Sequence, residues 1–220
     1  MEFGIIWILF FAALLFLGFF FSSKLRADQK YRNEQKAIYE EKRQQYTRFD
    51  SNVFDQTPDE ELTHAVLFHI MAKEDKLYEG ETVDQDLVDV LTHGEKLVYT
   101  IYQIENSLEG GRGSIHTFFI SEPYCTYRPF YKDAFDSMNC HDLTEIMEAA
   151  ERLAIAIEND EEDEIEDDSD YAYYNFSDFT GEIISLLKSS GLVEKCSKYI
   201  RDHKEEFIEE GESNEERISD

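Results

Sequence analysis

Nineteen consecutive residues, Phe3–Phe21, carry no charge, whereas the remainder of the 220-residue chain is polar and acidic. A helix over FGIIWILFFAALLFLGFFF, at about 1.5 Å per residue, matches the hydrocarbon depth of a bilayer and satisfies its own backbone. The pattern predicts a transmembrane anchor over residues 1–23. A cleaved signal peptide fits less well, because Glu2 stands where a basic residue would be expected. The apolar run is also long for that purpose, and Ser22-Ser23-Lys24 lacks a small-residue cleavage pattern. Lys24, Arg26, Lys30, Arg32 and Lys36 follow the run and only Glu2 precedes it. Positive charge stays inside, which predicts a single-pass cell-membrane protein with its N-terminus outside and its domain in the cytoplasm.

Residues 24–50 read as a polar helical stalk without Gly or Pro. Tyr31, Ile38, Tyr39 and Tyr46 form a thin seam near heptad spacing, too short for a sustained coiled coil. Residues 51–208 then show helical periodicity almost throughout. Thr57-Pro58-Asp59-Glu60 reads as a capping box opening a helix to about Leu77, with Leu62, Ala65, Val66 and Ile70 inward. A short helix is expected over Asp84–Leu91. A second capping box, Thr92-His93-Gly94-Glu95, opens a helix with Leu97, Val98, Ile101 and Ile104 inward. Gly110, Gly111 and Gly113 end it, and a short apolar segment, Ile115–Ile120, follows. Arg128–Met138 reads as a helix with Pro129 in its first turn. From Asp142 onward, Leu143, Ile146, Met147, Ala150, Leu153, Ala154 and Ile157 form one continuous stripe. Helices around Asp178–Ser189 and from Leu192 onward complete the pattern, with a disordered tail over 209–220. The expectation is an all-α fold: an anchor, a helical stalk and a compact multi-helix acidic domain.

Charge sharpens this picture. The formal net charge is −28, and residues 51–220 hold 13 Lys and Arg against 43 Asp and Glu. Such a domain repels nucleic acid and attracts basic proteins. Cys125, Cys140 and Cys196 are too few and scattered for a disulfide framework and fit a reducing compartment.

At residues 104–119, Ile-Glu-Asn-Ser-Leu-Glu-Gly-Gly-Arg-Gly-Ser-Ile-His-Thr-Phe-Phe resembles the central signature of the DNA-mimic protein family, small acidic all-helical bacterial proteins. The signature runs roughly Glu-x-Asn-Asn-Gly-Gly-Phe-x-Gln-Phe-Phe after a Gly-Glu-Lys-like helix start. Gly94-Glu95-Lys96 supplies that start, Glu109 the acid, Gly113 the first glycine, and Phe118-Phe119 the aromatic pair. Gly111-Arg112 stand at the Asn pair and Ser114 at the second glycine. Residues 199–207 resemble the closing helix, so the likeness covers about 50–208.

The resemblance implies binding of a basic protein, in its sharper form a DNA-binding one, whose Lys and Arg would otherwise meet phosphates. Candidate acids are Glu145, Glu148, Glu151, Glu205 and Glu206 on helices. Asp160, Glu161, Glu162, Asp163, Glu164, Glu166, Asp167 and Asp168 add charge in the acidic insert 158–170, whose plainer reading is a solvated loop. The alternative is a structural or accessory membrane protein whose acidity serves solubility only. A homodimer is compatible with either, and direct nucleic-acid binding is not expected.

Catalytic and metal chemistry is not legible. The six His are dispersed, and His64 and His69 miss the spacing that puts two ligands on one helix face. The acidic insert lacks the EF-hand pattern. Gly110-Gly111-Arg112-Gly113 has no following Lys-Ser/Thr for a phosphate loop. Asn175-Phe176-Ser177 matches a glycosylation sequon that a cytoplasmic domain would leave unused. The chain is expected to be no enzyme and to need no metal or cofactor.

Overall fold

The computed structural model describes residues 29–79, 86–159, 171 and 173–209. The chain divides into two compact units, Met1–Gln45 and Tyr46–Asp220. Residues 29–46 form helix α1, of which 29–45 belong to the first unit. Its surface is polar, Tyr31 and Ile38 are exposed, and Lys30 lies 3.7 Å from Glu34 one turn on.

Every regular element among the described residues of the second unit is helical. The α-helices are α2 (Ser51–Gln56), α3 (Asp59–Glu79), α4 (Leu87–Val90), α5 (His93–Ser107), α6 (Ile115–Ile120), α7 (Tyr131–Ser137), α8 (His141–Glu158), α9 (Phe176–Ser189) and α10 (Leu192–Asp202). Three-residue 3-10 turns follow α5 (Glu109–Gly111) and α10 (Lys204–Glu206), and a longer 3-10 segment, Tyr124–Phe130, leads into α7.

Local chemistry sets these boundaries. The Asp50 carboxylate accepts from the Asn52 and Val53 amides and caps α2. At α5 the capping box is complete: the Glu95 amide donates to the Thr92 hydroxyl, and the Glu95 carboxylate accepts from the Thr92 amide. Asn175 and Asp178 form the equivalent box at α9. Gly191 turns the chain between α9 and α10 at φ +63°, which a side chain would resist.

Helix α5 is the central element, packed against α3 on one side and against α6, α7 and the Tyr124–Phe130 segment on another. Helix α8 packs on α6, α7 and α9, and α10 closes against α3. Leu97, Ile104, Ile115, Phe118, Phe119, Phe135 and Phe207 are essentially water-free. Each such side chain contributes about 1.5–3 kcal/mol of transfer free energy. On the α8 stripe, Leu143, Ile146, Met147, Ala150 and Ala154 are buried, while Leu153 and Ile157 are half-buried.

Several expectations change. No helix among the described residues is long and apolar enough to cross a membrane. The longest, α3, has the length but carries Asp59, Glu60, Glu61, Lys73 and Lys76. Phe3–Phe21, on which the anchor was placed, lies outside the described residues. The single-pass anchor, the membrane as a partner, the outside N-terminus and the cytoplasmic placement are therefore withdrawn as expectations. Tyr46 and Phe49, read as stalk, are buried in the domain core.

Thr57 does not cap α3. Its hydroxyl donates to the Val53 carbonyl at 2.7 Å and closes α2, a helix that the pattern did not show. Ile115–Ile120 is helical, and only the second half of Arg128–Met138 is α-helix, because Pro129 sits in the 3-10 segment. The acids Asp160–Asp168 and the tail beyond 209 lie outside the described residues.

Ala150 has no exposure and faces the core. Ala150→Asp buries an unpaired carboxylate and is expected to cost about 3 kcal/mol or more. Chemical denaturation followed by circular dichroism checks this; a neutral substitution would contradict the packing of α8.

Candidate functional site

The acids of the domain fall into two groups, those that bind their own chain and those left to solvent. Glu95 belongs wholly to the first. Its side chain is 1% exposed, yet it carries a charge matched by Lys73 of α3, whose Nζ donates to Oε1 at 2.7 Å and to Oε2 at 2.8 Å. The Thr92 amide donates a third hydrogen bond at 3.0 Å. His69 lies one helical turn before Lys73. It meets the Thr47 carbonyl through Nδ1 at 3.2 Å, while Nε2 is 3.8 Å from Glu95 and 3.9 Å from Glu209. Burial holds His69 below the usual imidazole range, and Lys73 pushes it the same way.

The closing segment seals this corner. Glu206 Oε2 accepts from the Gly94 amide at 2.6 Å, and its backbone carbonyl accepts from the Thr92 hydroxyl at 2.6 Å. A carboxylate there also complements the N-terminal end of α5. Gly94 is required by close approach, since a Cβ would lie 2.8 Å from Cζ of Phe207. Of the candidate acids, Glu206 is thus a helix cap, while its neighbour Glu205 is exposed.

On α8 the candidates divide in the same way. Glu145 is exposed. Glu148 pairs with Lys132 of α7, and that contact raises the Lys132 ammonium above its ordinary range. Glu151 accepts from Arg128 Nε at 2.6 Å and from the Tyr131 hydroxyl at 2.6 Å. Burial and this hydrogen bond push the Tyr131 hydroxyl well up. Glu148 and Glu151, chosen from the sequence as partner-binding acids, therefore join α8 to the segment before it.

The signature turn is structural as well. Glu109, Gly110 and Gly111 have φ of +44°, +63° and +96°, and Glu109 is exposed. Gly113 packs onto the preceding helix so tightly that a Cβ would lie 2.1 Å from the Ser107 carbonyl oxygen. This lets α6 return and place Phe118 and Phe119 edge-to-face at 5.4 Å in the core. The Ile115 amide then donates to the Thr180 hydroxyl, tying α6 to α9.

One family model, described as DMP19-like protein, matches residues 89–203, from α4 to the end of α10. The chain belongs to the DMP19-like protein family. No curated protein and no solved structure matches it. The match contains Gly94, Glu95, the glycine turn and the acids of α8. Lys73, Glu205, Glu206 and Phe207 lie outside it, so the DMP19-like segment closes its central helix with residues from both flanks.

Two contributors had no legible signal. Arg201 of α10 donates to Asp59 at 2.8 Å, to the Phe54 carbonyl at 2.9 Å and to the Thr57 carbonyl, and lies over the Phe54 ring. It satisfies the end of α2 from about 145 residues away, a separation no local pattern reports. Lys73 is the other, since its partner Glu95 lies 22 residues further along the chain. No group of His, Cys, Asp and Glu among the described residues could hold a metal ion.

Several cations of the second unit are engaged with its own acids. Lys73, Lys76, Arg128, Lys132, Lys198, Arg201 and Lys204 all lie in such pairs. The acids outnumber them heavily, so the surplus negative charge faces outward. Burial first, and then the charges of Glu145, Glu182 and Asp142, push the Tyr171 hydroxyl up.

Glu95→Gln leaves Lys73 without its charge partner in a closed corner. The expected cost is about 3–5 kcal/mol in unfolding free energy, measured by urea denaturation at neutral pH. An exposed acid such as Glu145→Gln should change stability by less than about 0.5 kcal/mol.

Proposed function

We propose that this DMP19-like domain is a non-catalytic binding module that takes the place of DNA on a basic protein surface. The observation that supports it is the charge arrangement: several cations engaged in internal pairs, and an acidic surplus on packed helices. DNA-binding proteins gain most of their affinity from Lys and Arg contacts to phosphates, with release of counterions. Carboxylates on a rigid scaffold offer the same contacts with little ordering cost on binding. Membership in a family of DNA mimics supports the same reading.

Glu145 and Glu205 are the better contact residues among the helical candidates, with the exposed Asp142 about one turn before Glu145 on α8. Glu148, Glu151 and Glu206 support the surface from beneath. The basic partner is recognised by its density of Lys and Arg.

The test immobilises the full-length chain and passes basic DNA-binding proteins over it. Retention that duplex DNA competes, and that weakens steeply between 50 and 200 mM salt, is expected. Glu145→Lys and Glu205→Lys should each slow association several-fold while leaving stability near wild type. Retention indifferent to both DNA and salt, or no retention, would leave the acidity as a solubility feature.

A further inference from the structure

The three cysteines are free thiols in different surroundings. Burial pushes the Cys196 thiol well up, and its sulfur lies 3.1 Å from the Met138 thioether. Burial, and then a hydrogen bond to Glu122, push the Cys125 thiol up as well. Cys140 differs in having a primary ammonium on its sulfur: Lys195 Nζ donates to Cys140 Sγ at 3.4 Å. The Cys140 thiol points its own proton elsewhere, to the Met138 carbonyl at 3.6 Å, and so turns lone-pair density toward the Lys195 head. Nζ is held in place by a second hydrogen bond, to the Asn139 carbonyl at 2.9 Å, and Asn139 sits in the left-handed region at φ +52°. The Cys140 side chain makes no cap bond to α8. In a domain with a large excess of acids, this amine is placed on a thiol and a carbonyl.

The two residues lie 55 positions apart and belong to different elements. Cys140 ends the turn between α7 and α8, and Lys195 lies near the start of α10. Cys140 keeps 5% exposure and Lys195 is half-buried, so the contact lies just under the edge of the surface, where a small oxidant can reach it. A thiol beside an amine has two outcomes open to it once oxidised. It can stop at the sulfenic acid, or the sulfenic acid can condense with the neighbouring nitrogen.

We propose that Cys140 and Lys195 form an oxidant-operated cross-link site, at which hydrogen peroxide converts the contact into a covalent Sγ–Nζ bond. The Cys140 sulfur attacks one peroxide oxygen, the O–O bond breaks, one water leaves and Cys140 becomes a sulfenic acid. The Lys195 ammonium gives one proton to solvent. Its lone pair then attacks Sγ, the S–O bond breaks, and the hydroxyl leaves as water with the second amine proton. One thiol, one amine and one peroxide thus give one sulfenamide and two waters, the sulfur being oxidised by two electrons and the peroxide reduced. The link staples the head of α8 to α10, the helix whose Arg201 satisfies the end of α2. It also removes the charge of Lys195, so the oxidised domain is more acidic by one unit.

Dilute hydrogen peroxide applied to the folded full-length chain, followed by proteolysis and mass spectrometry, tests this. The peptide carrying Cys140 should be joined to the peptide carrying Lys195 and be about 2 Da lighter than their sum, the mass of the two hydrogens lost. Dithiothreitol should return both peptides. Peroxide applied in denaturing urea should give no such link, because only the fold brings the pair together. These readouts use the wild-type chain and do not rely on a variant folding. Lys195→Arg keeps the charge and removes the amine nucleophile, so trapping of a Cys140 sulfenic acid by dimedone should rise several-fold. Cys196→Ser should leave the link intact. A Cys140 that stays a free thiol, a Cys140–Cys196 disulfide in place of the link, or a link that forms equally in urea would overturn the proposal.

Discussion

The domain depends on one buried carboxylate. Glu95 accepts from Lys73 of α3 and from the Thr92 amide at the head of α5, and so fixes the central helix in place at its first turn. A charge at this depth costs several kcal/mol to desolvate and is tolerated only when fully matched. That demand selects one arrangement of α3 against α5. Gly94, one residue earlier, then admits Phe207, and the Glu206 carboxylate completes the cap. Elements from the start, middle and end of the domain are thereby held at one corner.

The same logic governs the surface. Arg128, Lys132, Arg201 and Lys204 are each drawn into pairs that join elements distant in sequence. Their acids serve as internal struts, and the remaining carboxylates still outnumber the remaining cations. A basic partner thus meets negative charge that the fold has already positioned. Rigidity and surplus charge are linked, because the pairs that stiffen the domain also neutralise part of its positive charge.

The parts of this account that were legible in the sequence are the local ones. Thr92-His93-Gly94-Glu95 reads as a capping box because both of its bonds close within three residues. The α8 stripe reads correctly because its apolar spacing is helical over four turns. The glycine turn and Phe118-Phe119 were visible through family resemblance. Thr57 was misread because its hydroxyl had a nearer carbonyl, Val53, than the amides of the next helix. The short α2 escaped because six residues carry too little periodicity to register. Glu148 and Glu151 looked like free surface acids, since their cations Lys132 and Arg128 lie 16 and 23 residues away. Glu206 at Gly94 and Arg201 at Thr57 are more remote still, with separations of 112 and 144 residues. A sequence pattern carries no record of such partners; only the packed chain brings them together.

A double-mutant cycle between Lys73 and Glu95 tests the central claim most directly. It would use Lys73→Met, Glu95→Gln and the double variant, with unfolding free energies measured at neutral pH and moderate salt. The account predicts a coupling energy of about 2 kcal/mol or more, with the double variant more stable than the sum of the single losses requires. A coupling below about 0.5 kcal/mol, the level at which independent sites add, would show that the buried pair does not organise the domain.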